Sequence, residues 1–192
     1  MTSRRVFIQT GVAVSAALSA SGAARAATGG RRQVPLHAVV FDTRFAASAA
    51  FGGAARALGA RTAPIRGDVT KLWDEDLGPR WREAPATIAG LTSNRSFYTL
   101  EVLARDHGMR VVFHADHRPI GEGAFEHRVV GPHTLTKDDV LDGSAWPSQL
   151  ARLVTRWPSA ALRPLGTTGD LMIPSGAGEP LVSFVIAPIA RV

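Results

Sequence analysis

The sequence predicts an α/β fold: a single three-layer domain with a largely parallel sheet of about five or six strands and long Pro/Gly-rich loops in its C-terminal half. Three observations carry this prediction. Between Leu36 and Phe113, short apolar runs alternate with segments of helical spacing, the order that βα units produce. Within it, Pro85–His117 reads as strand, polar loop, helix, strand. The continuous apolar run Leu181–Ala187, LVSFVIA, reads as a strand buried on both faces, which belongs in the middle of a sheet.

The chain opens with Ser3-Arg4-Arg5-Val6-Phe7-Ile8, followed by a mildly apolar stretch, Gly11–Ala24, and a small-x-small sequence, Ala24-Arg25-Ala26. The stretch is too short and too weakly apolar to span a bilayer. The hexapeptide resembles the twin-arginine (Tat) export motif S-R-R-x-F-L-K, with Ile8 for Leu and Gln9 where Lys is usual. This resemblance covers the leader alone. It implies a signal peptide over residues 1–26 cut before Ala27, and a periplasmic or secreted mature protein. It also implies the Tat translocase as partner during export, and no stable transmembrane anchor afterwards. The route serves proteins that fold before export, some with a cofactor inserted and some beside a co-exported partner protein. An amphipathic N-terminal helix is the alternative reading. Residues 27–35 follow as a flexible linker, and 36–192 as the α/β domain.

In chain order, Leu36–Phe41 is an apolar strand ending at Asp42. Thr43 to Leu58 is an Ala-rich helix closed by Gly59, with Phe45, Phe51, Ala55 and Leu58 toward the sheet. Its internal pair Gly52-Gly53 implies close packing or a break, since each Gly costs a helix roughly 1 kcal/mol relative to Ala. Thr62–Arg66 is a short strand ending at Gly67-Asp68, and Val69–Trp81 is irregular with one helical turn. In the central unit, Ala86–Leu91 is a strand and Thr92-Ser93-Asn94 offers capping side chains. Phe97, Leu100, Leu103 and Ala104 then mark a helix, Gly108 stops it, and Met109–Phe113 is the next strand. Two strands joined through a helix are normally parallel. Ala124–Val130 alternates as a strand, and Thr136 with Asp139 resembles a capping box for a short helix ending at Gly143. Pro147 opens a helix whose apolar stripe is Leu150, Leu153, Val154 and Trp157, and Pro158–Pro180 is broken by repeated Pro and Gly.

Composition narrows the chemistry. At 45% hydrophobic and 20% charged residues, the chain has the make-up of a globular protein. It has no Cys, which excludes disulfides, thiolate-bound metal, covalent haem attachment and cysteine nucleophiles together. Any metal must use His and carboxylate. The net charge of +6 includes three leader arginines, Arg4, Arg5 and Arg25, and no basic cluster is interleaved with aromatics, so nucleic acid is not an expected partner.

In a parallel sheet, ligands bind outside the carboxyl ends of the strands. Asp42 and Arg44 follow the first predicted strand, Asp68 the second, and Thr92, Ser93 and Asn94 the third. These six are the candidate ligand-binding residues, and a small anionic ligand is the expected occupant. Arg44 supplies a planar fork for a carboxylate or phosphate, and the helix start at Thr92-Ser93 supplies backbone N–H groups. The site requires Arg44 and Ser93 to lie within reach of one ligand; Arg44→Ala is then expected to weaken binding and leave stability nearly unchanged. Thr92 or Ser93 serving only as a helix cap is the plainer alternative. His114, Asp116 and His117 follow the fourth strand as a candidate metal set of N and O ligands, provided the chain turns between the two histidines. A Ser93 nucleophile with His114 or His117 as base, oriented by Asp116 or Asp42, is a further possibility, although no G-x-S-x-G elbow is present. Asp74, Glu75 and Asp76 read as a solvated helix end, and Trp73 and Trp81 as core cover or pocket lining. These features favour a periplasmic binding protein or accessory subunit of a redox or catabolic system. A small periplasmic enzyme, metal-dependent or a Ser/His hydrolase, is the alternative.

Overall fold

A computed structural model describes residues 35–121, 124–130, 143–156 and 179–188. The β-forming run Leu36–Asp42 makes β1, Ala46–Ala57 makes α1 and Thr62–Ile65 makes β2. Thr87–Ser93 forms β3, Asn94–Asp106 α4, Met109–Gly121 β4, Ala124–Val130 β5, Trp146–Thr155 α5 and Leu181–Pro188 β6. All of these lie in one compact unit, Arg32–Val192. The leader, the box at Thr136 and Asp139, Trp157 and nearly all of Pro158–Pro180 lie outside the described residues.

Among the described residues, six strands form one sheet in the order β2-β1-β3-β6-β4-β5. The sheet is mixed rather than largely parallel. β1 is parallel to both β2 and β3, whereas β6 is antiparallel to β3 and β4, and β5 antiparallel to β4. The cause is the apolar run at Leu181, which does sit inside the sheet but enters it reversed. Leu181 pairs with both Ser93 and His117, and Ile186 with both Ile88 and Val111. β3 and β4, joined through α4, therefore run the same way without touching.

Strand alternation divides the core into two clusters. Val39 and Phe41 of β1 join Phe51 and Ala55 of α1 and Leu150 and Val154 of α5. Ala38 and Val40 join Leu77, Trp81, and Phe97 and Leu100 of α4. The glycine pair in α1 resolves into one packing residue and one bystander. A Cβ on Gly52 would stand 2.5 Å from the Phe41 ring, while one on Gly53 meets nothing.

Two segments depart from the expected pattern. Residues 70–83 are continuously helical: Thr70–Leu72 is α2, Trp73–Leu77 a π-helical stretch and Gly78–Glu83 α3. The widened turn brings the Trp73 carbonyl and indole against Gly78, where a side chain would collide with them. Trp81 is core, its Nε1 donating to the Ala86 carbonyl at 2.9 Å. Asp74 and Glu75 are exposed, but Asp76 accepts from Arg61 Nη1 at 2.7 Å and pairs with His37 Nε2 at 2.9 Å. β4 is the second departure, since it does not end at Phe113 but continues to Gly121, 13 residues in all.

Candidate functional site

β1 pairs with β2 on one side and β3 on the other. α1, which leads to β2, packs in one core cluster, and Leu77 and Trp81, which precede β3, pack in the other. The carboxyl ends of β1 and β3 thus flank the point where the chain reverses its winding, the place where open α/β sheets bind ligands.

Arg44 occupies that point. Two residues beyond the Asp42 backbone, its own N–H donates to Asp42 Oδ1 at 3.1 Å, a short turn that folds the side chain back onto the same carboxylate. Arg44 Nε donates to Oδ1 at 3.1 Å and Nη2 to Oδ2 at 2.7 Å, a two-pronged pair with a fully buried carboxylate. Nη2 also reaches Ser93 Oγ, at 3.5 Å, at the end of β3. The guanidinium carbon lies 4.9 Å from the centre of the Phe45 ring. On the β2 side it rests on Gly67, where a Cβ would come within 2.6 Å of it and where φ is +79°, a conformation that favours glycine. Three strand ends therefore converge on one cation whose side chain is 38% exposed. The hydrogen bond to Asp42 holds the guanidinium pKa above its ordinary value, and Glu179, just ahead of β6, adds in the same direction.

Ser93 is the N-cap of α4, its Oγ accepting from the Ser96 N–H at 3.4 Å. Its hydroxyl also meets Ser96 Oγ at 3.2 Å, and Ser96 in turn donates to the Gly67 carbonyl at 3.1 Å. The capping role is thus real and coexists with the contact to Arg44. The remaining predicted ligand-site residues are placed differently. Thr92 is buried on the opposite face of β3 from Ser93, its hydroxyl donating to the Ser93 carbonyl at 3.1 Å. Asp68 is exposed and accepts from the N–H and hydroxyl of Thr70, at 2.8 and 2.7 Å, which hold its carboxyl below the ordinary range. Asn94 is the half-buried first residue of α4.

His114, Asp116 and His117 do not form a common metal set. β4 does not turn between them, so His114 and Asp116 share one face and His117 points to the other. His114 stacks on Phe97 at 5.2 Å and pairs with Asp116 at 3.1 Å, which lowers the Asp116 pKa. His117 is fully buried, stacked on Trp146 at 4.6 Å. Its Nε2 meets Ser183 Oγ at 2.8 Å and its Nδ1 meets His127 Nδ1 at 2.7 Å. Burial, reinforced by His127, pushes its pKa down to about 3, so the ring is neutral and donates to one of these neighbours while accepting from the other. Among the described residues, no group of three or more His, Cys, Asp or Glu is arranged to hold a metal. Ser93 and His117 flank Leu181, two strand spacings apart, and both ring nitrogens of His117 are taken by Ser183 and His127, so His117 is not placed as a base for Ser93.

Sequence reasoning read Gly67 only as the end of a strand and passed over Ser96, Ser183 and Glu179. Ser183 had a signal, being the one polar residue within LVSFVIA. No helix among the described residues is long and apolar enough to cross a membrane. Compared with protein-family models, curated proteins and solved structures, the chain matches none.

Proposed function

We propose that this chain is a Tat-exported periplasmic protein that binds a small carboxylate- or phosphate-bearing ligand between the ends of β1 and β3, without transforming it. The observation that carries this is the convergence of three strand ends on Arg44, a guanidinium fixed through Nε and Nη2 on a partly exposed side chain. The first N–H groups of α4, which a helix leaves without carbonyl partners, add donors on the far side. Ser93 contacts Arg44 and Ser96 rather than a base, which favours binding over hydrolysis. Three layers, with α1 and α5 on one face of the sheet and α3 and α4 on the other, leave the strand ends as the place for a ligand. The leader supplies the address.

The burial of Asp42 changes which variants can test this. Removing Arg44 alone strands a buried carboxylate, at a cost of about 3–5 kcal/mol, so Arg44→Ala destabilises the protein whatever it binds. Arg44→Lys keeps the charge and loses the fork, and Asp42→Asn with Arg44→Gln removes both charges together. Thermal stabilisation by inorganic phosphate and by small mono- and dicarboxylates is the readout, since a ligand that binds only the folded state raises stability. Both variants are expected to lose about tenfold or more in affinity for whichever acid stabilises the wild type. Glu179→Gln is expected to tighten binding about two- to fivefold, because Glu179 competes for the same cation. If no acid stabilises the wild type, or the folded double variant binds equally well, the proposal is wrong.

A further inference from the structure

The two edges of the sheet are unlike. β2 is four residues long and carries Pro64, which has no N–H to donate, so it is a poor template for a further strand. β5 is seven residues long and contains no proline. Among the described residues nothing pairs with its outer edge.

Charge alternates along β5 and across to β4. Glu126 is ion-paired with Arg118 opposite it, and Arg128 stands opposite Asp116, close enough to help lower that carboxyl's pKa. Glu126 and Arg128 are both exposed and lie on the same face of the strand. If two copies of β5 pair antiparallel about a two-fold axis normal to the sheet, the axis must fall at a residue, midway between it and its own copy, because paired side chains share a face. An axis through Glu126 puts Glu opposite Glu, and an axis through Arg128 puts Arg opposite Arg. An axis through His127 puts each Glu126 opposite the other copy's Arg128. It is also the one register that pairs all seven residues, since His127 is the middle of Ala124–Val130. Each row across the four central strands then reads Asp116, Arg128, Glu126, Arg118, with signs alternating throughout.

We infer that β5 is a self-complementary edge through which two copies of this chain join, antiparallel and centred on His127, to form a continuous twelve-stranded sheet from two six-stranded ones. One strand pair is small beside stable interfaces, which bury about 1,200–2,000 Å², so the dimer forms in a concentration-dependent way.

Sedimentation of the purified chain at pH 8, above the ordinary imidazole range, tests this with two single variants. Glu126→Arg places arginine against arginine, and Arg128→Glu places glutamate against glutamate. Each alone is expected to raise the dimer dissociation constant about tenfold, with an unchanged circular-dichroism spectrum. Mixed together, the two variants oppose Arg to Glu at both contacts, and a heterodimer of near wild-type strength is expected. A damaged monomer cannot be rescued by mixing, so restoration distinguishes pairing from a structural effect. The inference is overturned by a wild type that stays monomeric at every concentration, by single variants that dimerise like wild type, or by a mixture that does not recover.

Discussion

The sheet has two halves that handle polar groups in opposite ways. In the parallel half, β2-β1-β3, polar side chains gather at the strand ends, where Asp42, Arg44 and Ser93 meet at the rim. In the antiparallel half, β6-β4-β5, they lie within the strands themselves: His117, Ser183 and His127 form a hydrogen-bonded chain beneath Trp146. The difference follows from connectivity. Parallel strands must each be followed by a crossover, so their ends are turns that tolerate polar residues. β4 continues past β6 into the ladder with β5, so its polar residues have nowhere to go but the faces of the sheet. A rim site exchanges with solvent, whereas a buried chain of imidazoles records only whether the half that holds it is intact.

The largest effect is expected where the halves join. Val185, fully buried in β6, pairs with Ala89 on one side and Phe113 on the other. Val185→Asp puts an unpaired charge at that seam, at a cost on the order of 3–5 kcal/mol. With total stabilities of about 5–15 kcal/mol, loss of soluble expression is the expected outcome. A soluble, cooperatively folding Val185→Asp protein would show that the halves stand independently.

Acid should open the antiparallel half first. His117 has its folded pKa depressed to about 3 against an unfolded value near 6.5, so the unfolded chain takes up the proton more readily. The stability tied to neutral His117 is complete above about pH 6.5 and is lost as pH falls from there toward 3. By pH 4 the loss is about 3 kcal/mol, at 1.36 kcal/mol per unit. Urea midpoints across pH 4–8 measure it, and His117→Leu paired with Ser183→Ala should flatten the slope. A slope unaltered by that pair of changes would assign the acid sensitivity elsewhere.

A smaller effect probes how tightly the halves are pressed together. A Cβ on Gly90 of β3 would stand 2.4 Å from the Phe184 ring of β6 and 2.9 Å from the Val40 carbonyl. Gly90→Ala should destabilise by roughly 1–3 kcal/mol, and Phe184→Leu in the same chain should recover part of that, the coupling expected of neighbours. Strictly additive effects in a double-mutant cycle would mean that the ring moves aside freely.

Much of the parallel half was legible in the residues. The apolar runs and the punctuation at Gly67 and Gly108 mark β1, β2, α4 and the start of β4, and strand-end logic led to Asp42, Arg44 and Ser93. The antiparallel half was less so, for a physical reason. His114, Asp116 and His117 look like the polar end of a strand because histidine suits both water and a hydrogen-bonded interior, and nothing local shows that Ser183 waits across the ladder for His117. The direction in which β6 enters the sheet is likewise a matter of long-range pairing, which periodicity does not encode. The π-helical turn had no sequence signal beyond Gly78, the residue that lets Trp73 approach.

The place of β6 also sets a timetable. It follows the other five strands in chain order yet lies between β3 and β4, which touch no strand of each other's half without it. At about 5–20 residues per second, a ribosome delivers β1 to β5 seconds before it delivers β6, the strand that joins them. Throughout that interval the nascent chain carries two bare inner edges facing an empty slot, and each is open to any passing strand. A chaperone that shields such edges during synthesis, or a proteolytic check made soon after release, would act on the presence of residues 181–188 more than on any other stretch.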